Sequence, residues 1–189
     1  MKTVAASSHA RAIPKLKAAL PHVSNVHALP RITKVIVASG VGKRRAEANF
    51  LEDVEKGLTL VTGQHPAPRL ARKSIAALKV REGQTVGLMV TLRGRRMEDF
   101  ISRLLQISLP RVRDFRGIPL TSVDTEGNLS IGFREAAAFP EVDPDAVGTL
   151  FGLEVTIVTT AKSRADGIAL FRSLEFPFAE EGSRLTVGR

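Results

Sequence analysis

The sequence predicts a single α+β domain with a mostly antiparallel sheet, helices on one face and a long protruding basic loop. Segments rich in β-branched residues at Ile32 to Ser39, Gln84 to Leu92 and Leu153 to Thr160 predict strands. Apolar residues recur at helical spacing in Arg44 to Val61 and in Met97 to Ser108. This order of elements favours a sheet with helices on one face and the other face free to meet a partner.

The N-terminal half contains two further boundaries. Ala10 to Leu20 predict a short helix in which Pro14 is tolerable only in the first turn, because proline lacks the N–H that a helix interior needs. Gly63 is expected to end the helix that begins at Arg44. The QHPAPR segment after it contains two prolines, and we expect it to run extended as an edge strand or a loop arm.

The C-terminal half contains a predicted hairpin and a predicted last helix. Leu120 to Val123 and Leu129 to Phe133 flank the turn sequence DTEGN. Ser163, with Asp166 three residues later, is typical of the cap at the start of a helix.

An amphipathic helix between two arginine clusters is the main functional motif. Its apolar stripe runs from Met97 to Ser108, and Pro110 disfavours helical backbone at Leu109, which marks the expected end. Guanidinium groups at both ends of a rigid rod suit phosphates at a fixed spacing, whereas the alternative is a solvated face that keeps the domain soluble. The clusters are Arg93, Arg95 and Arg96 before the helix and Arg111, Arg113 and Arg116 after it.

The composition fits one domain with an anionic partner. With 189 residues and 43% hydrophobic content the chain can bury one core. We divide it into an N-terminal extension or short helix (1–24), a domain (25–178) and a C-terminal tail (179–189). The formal charge of +9 favours nucleic acid, an acidic protein or an anionic membrane as partner. Residues 135–161 carry five acids and no Lys or Arg, which suggests a second, basic partner.

Membrane and targeting signals are weak. No apolar run approaches the roughly 20 residues that a membrane-spanning helix needs. The chain has no cysteine, which is compatible with a reducing cytosol. The first 25 residues lack the apolar region of a secretory signal. They contain no Asp or Glu, however, so an organelle transit peptide is an alternative.

The residues indicate no catalytic or metal site. The segment VASGVGKRRAE resembles a phosphate-binding loop, but Val37 and Arg44 stand where such a loop needs glycine and Ser or Thr. The four histidines have no ligand spacing, and Asp143 with Asp145 lacks the rest of a calcium loop. We therefore expect no enzyme activity, cofactor or metal. An RNA- or nucleotide-processing enzyme that uses Lys43 is the competing hypothesis.

The aromatic content limits the kind of RNA binding. The chain has no Trp or Tyr and only nine Phe, which argues against base stacking as the dominant contact. Phosphate and ribose contacts to a folded RNA, made on the free sheet face, fit better. A membrane-surface protein is a further alternative, and it would need an exposed apolar stripe beside the charges. We expect the apolar stripe from Met97 to Leu105 to be buried in the core instead.

A basic loop is predicted between two β segments. Residues 69–83 (RLARKSIAALKVREG) place cations around the small apolar centre Ile75 to Leu78. Loops of this length are usually functional or disordered, and we interpret this one as a finger that touches a second RNA. The alternative is an amphipathic turn that packs Ile75 and Leu78 on the core.

Several segments combine into a family resemblance. They are VTGQHPAPRLARKSIAALKVREG, VTLRGRRMEDFISRLLQISLPRVRDFRG and LEVTIVTTAK, extended by PRITKVIVASGVGK and GNLSIGFREAAAFPEVD. In this order and spacing they resemble, over residues 25–178, the bacterial-type L-five family of large-subunit ribosomal proteins that bind 5S rRNA. The resemblance implies a non-enzymatic α+β subunit of the 50S central protuberance in a cytoplasmic ribosome. Its implied partners are 5S rRNA, 23S rRNA, P-site tRNA, neighbouring large-subunit proteins and a basic protein of the small-subunit head.

The resemblance also implies roles for individual residues. Those expected on the sheet face that holds 5S rRNA are Gln64, Thr91, Arg93 and Ser39. Those expected on the loop that reaches the P-site tRNA are Arg72, Lys73, Ser74, Lys79 and Arg81. Those expected to contact rRNA or form the intersubunit bridge are Arg111, Arg113, Arg116, Glu141 and Asp143. The family commonly has Asn-Met where this chain has Ala38 and Ser39, which weakens that RNA contact or changes its detail.

Overall fold

The structure is a computed structural model that describes residues 4–21, 23, 25–42, 44, 49–142 and 151–179, with the side chains of the first helix described from Ala12 onward. Lys43 and Asp143, for which the sequence predicts roles, lie outside the described residues, as do Asp145 and the tail beyond Ala179.

The predicted α+β class with an antiparallel sheet is confirmed. Five strands form one sheet in the order β2-β3-β1-β5-β4. Their bounds are β1 Ile32–Gly40, β2 Ala67–Leu70, β3 Thr85–Leu92, β4 Leu129–Phe133 and β5 Leu153–Thr159. The helices are α1 Val4–Ala19, α2 Phe50–Thr62, α3 Gly94–Arg103, α4 Leu109–Arg111 and α5 Arg164–Ser173. The residues group into two compact units, one of 1–35, 93–131 and 156–189 and one of 36–92 and 132–155.

In the first unit, α1 contacts α3 and α5. Leu16 of α1 is buried together with Leu170 and with Leu20, which follows the helix. The prediction that Pro14 stands in the first turn is wrong, because α1 begins at Val4 and Pro14 lies in its interior. The helix tolerates the lost hydrogen bond while it buries Ala12 and Leu16, each 1% exposed.

The expected helix end before Pro110 is also wrong. Leu109 has helical backbone angles (φ −61°, ψ −43°), and α4 continues through the proline. A π-helical turn at Leu104–Ser108 precedes it, in which the N–H of Leu109 donates to the carbonyl of Leu104. A turn widened to this spacing moves the preceding carbonyls away from the proline ring, which explains how the helix continues. Met97, Phe100 and Leu104 are buried, so this stripe is core and is not free for a membrane.

The predicted hairpin is only partly present. Its turn is closed by the N–H of Asp124, which donates to the carbonyl of Asn128 at 2.9 Å. Leu120–Ser122, however, is a 3₁₀ turn, so Val123 forms only an isolated bridge with Leu129. The fixed backbone of Pro119 at the N-cap favours this turn over a strand. The predicted cap of the last helix is confirmed, because the Ser163 side chain accepts from the N–H of Asp166 at 3.2 Å.

In the second unit, α2 packs on β3 and buries Val54, Leu58 and Val61. The helix begins at Phe50, later than the predicted Arg44, and ends as predicted at Gly63, whose left-handed backbone (φ 66°) suits glycine. None of the helices in the described ranges is long and apolar enough to cross a membrane.

The strands of the second unit have one buried side. Burial alternates along β3, where Leu88, Val90 and Leu92 are buried and the residues between them are half-buried. Alternate residues of a strand point to opposite sides of a sheet, so the less buried set shares one side. We call this side of the second unit the open face; it consists of Ala38, Gly40, Arg69, Gly87, Met89, Thr91 and Glu154.

Candidate nucleic-acid interface

The open face is built on the pairing of β2 with β3. Arg69 stands opposite Gly87, and Ala67 stands opposite Met89, in an antiparallel register. Arg69 is exposed, and its guanidinium Nη2 lies 3.6 Å from the sulfur of Met89. The register therefore places Arg69 beside a residue without a side chain, and its guanidinium extends to Met89.

Two glycines shape the surface beside Arg69. A Cβ at Gly87 would lie 3.0 Å from the carbonyl oxygen of Ser39, so glycine allows the backbones of β3 and β1 to approach closely. A Cβ at Gly40 would meet nothing within 4 Å, so the space above it is open. Together with Ala38, these residues form the floor of a cavity of about 430 Å³, and Arg69 and Glu154 also line it.

Three of the residues expected at the 5S rRNA face remain accessible. Thr91 is half-buried on the open face, and Arg93 continues the chain after β3 with extended backbone and an exposed side chain. Gln64 is half-buried, and its backbone N–H and carbonyl both bond to the Thr62 hydroxyl, at 3.3 and 3.0 Å. These bonds fix the chain as it leaves α2 for β2.

The expectation that Ser39 contacts RNA does not fit its placement. Ser39 is 3% exposed, and its hydroxyl donates to the carbonyl of Gly152 at 2.7 Å. It follows Val35 and Val37 on the buried side of β1, so Ala38 and not Ser39 lies on the open face. The alternation of β1 contained this signal, but the residue was carried over from the family pattern.

The basic loop contains its own hydrogen bonds. At its base, Ala71 donates to the carbonyl of Gln84 at 2.8 Å, and Gly83 donates to that of Ala71 at 3.0 Å. Farther along, Ile75 and Val80 form an isolated antiparallel bridge around a 3₁₀ turn. The backbone is therefore ordered by local bonds.

The side chains of the basic loop point to solvent. Ile75 is 46% exposed and Leu78 is 65% exposed, which excludes the alternative that they pack on the core. The predicted tRNA-facing residues are all exposed: Arg72, Lys73, Ser74, Lys79 and Arg81. The Ser74 hydroxyl also accepts from the N–H of Glu82 at 2.9 Å. The surface is thus cationic with an apolar centre.

The second arginine cluster forms an exposed loop in the first unit. Arg111, Arg113 and Arg116 are exposed, and Arg113 lies 3.9 Å from the neighbouring Asp114 with both side chains in solvent, a pair that contributes little to stability. The loop ends at Ile118, whose N–H donates to the carbonyl of Pro177 at 2.7 Å. Glu141 belongs to the second unit and is half-buried.

In the part of the chain that the structure describes, His, Asp and Glu side chains form no group of three that could hold a metal ion. The surfaces described above offer guanidinium and ammonium donors, a few hydroxyls and closely accessible backbone. These groups recognise phosphate and ribose.

Comparison with known proteins agrees with this chemistry. A family model described as Ribosomal protein L5 matches residues 25–81, and a second model, which describes the C-terminus of the same ribosomal family, matches residues 85–178. The large ribosomal subunit protein uL5 of Acaryochloris marina is 44% identical over 169 residues, which cover 89% of this chain and 93% of that protein. The uL5 proteins of Picosynechococcus (44% identical; 89% and 92% covered) and Microcystis aeruginosa (43% identical; 88% and 92% covered) are similar to the same extent.

Proposed function

Because the chain belongs to the ribosomal L5 family, whose members are non-enzymatic structural constituents of the large ribosomal subunit, we propose that it binds 5S rRNA and attaches it in the central protuberance of a bacterial-type, cytoplasmic ribosome. The observation that carries the proposal is the open face, where Thr91 is half-buried, Arg69 is exposed and the space above Gly40 is open. Residues 25–178 are the binding domain, with 1–24 as an N-terminal extension and 179–189 as a tail.

The 5S rRNA contacts are assigned to Gln64, Thr91 and Arg93. A hydroxyl and an amide exchange hydrogen bonds with ribose and phosphate, while a guanidinium binds a phosphate through two parallel bonds. Contacts to 23S rRNA and to neighbouring large-subunit proteins of the central protuberance complete the attachment. Ser39 is left out because its hydroxyl is buried.

The basic loop is assigned to the P-site tRNA. Its exposed cations are carried on a segment with its own hydrogen bonds, which suits contact with an RNA other than the one on the open face. The arginine loop at Arg111, Arg113 and Arg116 is assigned to rRNA or to the intersubunit bridge. In the bridge, Glu141 and Asp143 would face a basic protein of the small-subunit head.

Gel-shift titration of the full chain tests the 5S rRNA assignment. We expect 5S rRNA to be bound in preference to an unrelated folded RNA of equal length. If about six phosphates are neutralised, the affinity falls roughly a thousandfold between 50 and 200 mM salt. Equal affinity for both RNAs would contradict the proposal.

Thr91→Val tests the open face at one residue. It removes a hydroxyl at nearly constant volume, and one lost hydrogen bond of about 1 kcal/mol corresponds to about fivefold weaker 5S rRNA binding. The matched control is Thr59→Val on α2, whose hydroxyl bonds to the carbonyl of Glu55 within the helix. The assignment fails if both variants bind equally well.

A further inference from the structure

We infer that the cavity of the open face holds one unpaired guanine of the bound RNA, with Glu154 as acceptor for the edge of the base and Arg69 as donor to the phosphate of that strand. This inference rests on the proposed RNA-binding function and assigns a base-reading site within it. The observation behind it is a carboxylate and a guanidinium lining the same cavity on a surface otherwise suited to phosphate.

The carboxylate selects the chemistry of the occupant. Glu154 lies on the open face and is exposed, and an ionised carboxylate only accepts hydrogen bonds. A phosphate also only accepts, so the RNA backbone is repelled at this position. An unpaired base presents N–H groups on its Watson–Crick edge, and proteins recognise bases there. Guanine is the base with two adjacent donors, N1–H and N2–H, which match the two carboxylate oxygens.

The other residues of the cavity have room for a flat base. Gly40 and Ala38 present no bulk, and a Cβ at Gly40 would meet nothing within 4 Å. The cavity is open to solvent, and its volume of about 430 Å³ leaves a flat base room to enter it. The half-buried Met89 provides an apolar contact for the base.

Arg69 supplies the charge that the carboxylate cannot. Its position opposite Gly87 puts the guanidinium beside the cavity, and the contact with the sulfur of Met89 orients it there. A guanidinium has five N–H donors, enough to bind a phosphate in addition to that weak contact. One side chain thus attracts the strand, and the other distinguishes the base that it carries.

Chemical probing of 5S rRNA with kethoxal, which modifies N1 and N2 of unpaired guanines, tests the inference directly. At saturating protein, we expect the full chain to protect at least one guanine that Glu154→Gln leaves several-fold more reactive. Glu52→Gln, an exposed acid on α2 outside the cavity, is the matched control and should protect like the unchanged chain. If Glu154→Gln gives the same guanine reactivities as the unchanged chain, the guanine site is overturned.

A second pair of variants tests the cavity without changing charge. Gly40→Val fills the floor, where a Cβ would meet nothing within 4 Å, whereas Ala77→Val adds bulk at an exposed residue of the basic loop outside the cavity. We expect only Gly40→Val to expose the guanine again. Replacing that guanine by adenine should weaken binding about fivefold or more to the unchanged chain and little to Glu154→Gln. If the guanine-to-adenine change weakens binding equally for the unchanged chain and for Glu154→Gln, the guanine site is overturned but 5S rRNA binding stands. If the unchanged chain does not bind 5S rRNA, both proposals are overturned.

Discussion

The open face and the basic loop lie in the same unit, and they carry cations for opposite structural reasons. The open face includes Arg69 because β2 extends to Leu70, so the basic loop proper is residues 71–83. On the open face, the strand register places Arg69 opposite Gly87. The backbone of β1 at Ser39 approaches Gly87 so closely that an added Cβ would lie 3.0 Å from the Ser39 carbonyl oxygen. On the basic loop, several cations surround two exposed apolar residues, and only local hydrogen bonds hold the backbone. The open face thus offers an RNA few contacts, each placed by the sheet. The basic loop offers many cations, and no single one of them is essential for binding.

This difference predicts how each region responds to change. An RNA contact that the strands position depends on the sheet, so a substitution that alters the sheet changes both protein stability and RNA binding. A contact set by exposed charge depends on the sum of the charges, so altering the loop changes affinity for its own partner and leaves the fold intact. The distinction fails if the two regions respond alike to substitution.

Among changes on the open face and the basic loop, the largest effect is expected for Gly87→Val, because it disturbs both the sheet and RNA binding. The new Cβ would lie 3.0 Å from the carbonyl oxygen of Ser39, and the added methyl groups would force β3 and β1 apart. We expect a loss of about 1–3 kcal/mol in the free energy of unfolding, measured by urea denaturation, with most 5S rRNA affinity lost. Gly132→Val, which adds a Cβ in open space, is the control. Unchanged stability and binding would show that the close approach of β3 to β1 does not constrain the open face.

The sequence predicted the open face because its signal is local. Alternation of apolar residues in β1, β3 and β5 is readable from consecutive residues and needs no knowledge of strand order. The same rule assigns Ser39 to the buried side, whereas the expectation of an RNA contact at Ser39 comes from the family pattern. The contributions of Arg69 on β2 and Glu154 on β5 were missed, since these strands are far apart in sequence and a single sequence does not contain the strand order that places them on one face.

Local backbone rules were less reliable than periodicity where packing opposes them. Pro14 and Pro110 were both expected to limit helices, and both lie within helical segments. Before Pro110, a π-helical turn removes the clash between the proline ring and the preceding helical backbone. The helix can then continue and bury Leu104 and Leu109, which are 0% and 1% exposed. Burial of two leucines is worth several kcal/mol and outweighs one missing hydrogen bond.

The next effect concerns the basic loop and its tRNA. Replacing Arg72, Lys73 and Lys79 together with alanine should leave 5S rRNA affinity within about threefold, because these side chains are exposed on the loop and not on the open face. We expect retention of P-site tRNA by assembled ribosomes to fall about tenfold or more, measured by filter binding, since three cations are lost. The matched control replaces three exposed cations elsewhere, Lys15, Lys56 and Arg172, with alanine. Loss of 5S rRNA binding in the loop variant would move the loop onto the 5S rRNA face and end the distinction between the two regions.

The smallest effect is expected for the apolar centre of the loop. Leu78 is 65% exposed, whereas Leu88, on the buried side of β3, is 3% exposed. Leu78→Ala should therefore change the free energy of unfolding by less than about 0.5 kcal/mol, while Leu88→Ala should lower it by about 2–5 kcal/mol through lost burial and the cavity left behind. Urea denaturation of both variants at equal protein concentration measures the difference. A large loss for Leu78→Ala would mean that the loop packs on the domain, and its cations would then be held as rigidly as the guanidinium of Arg69.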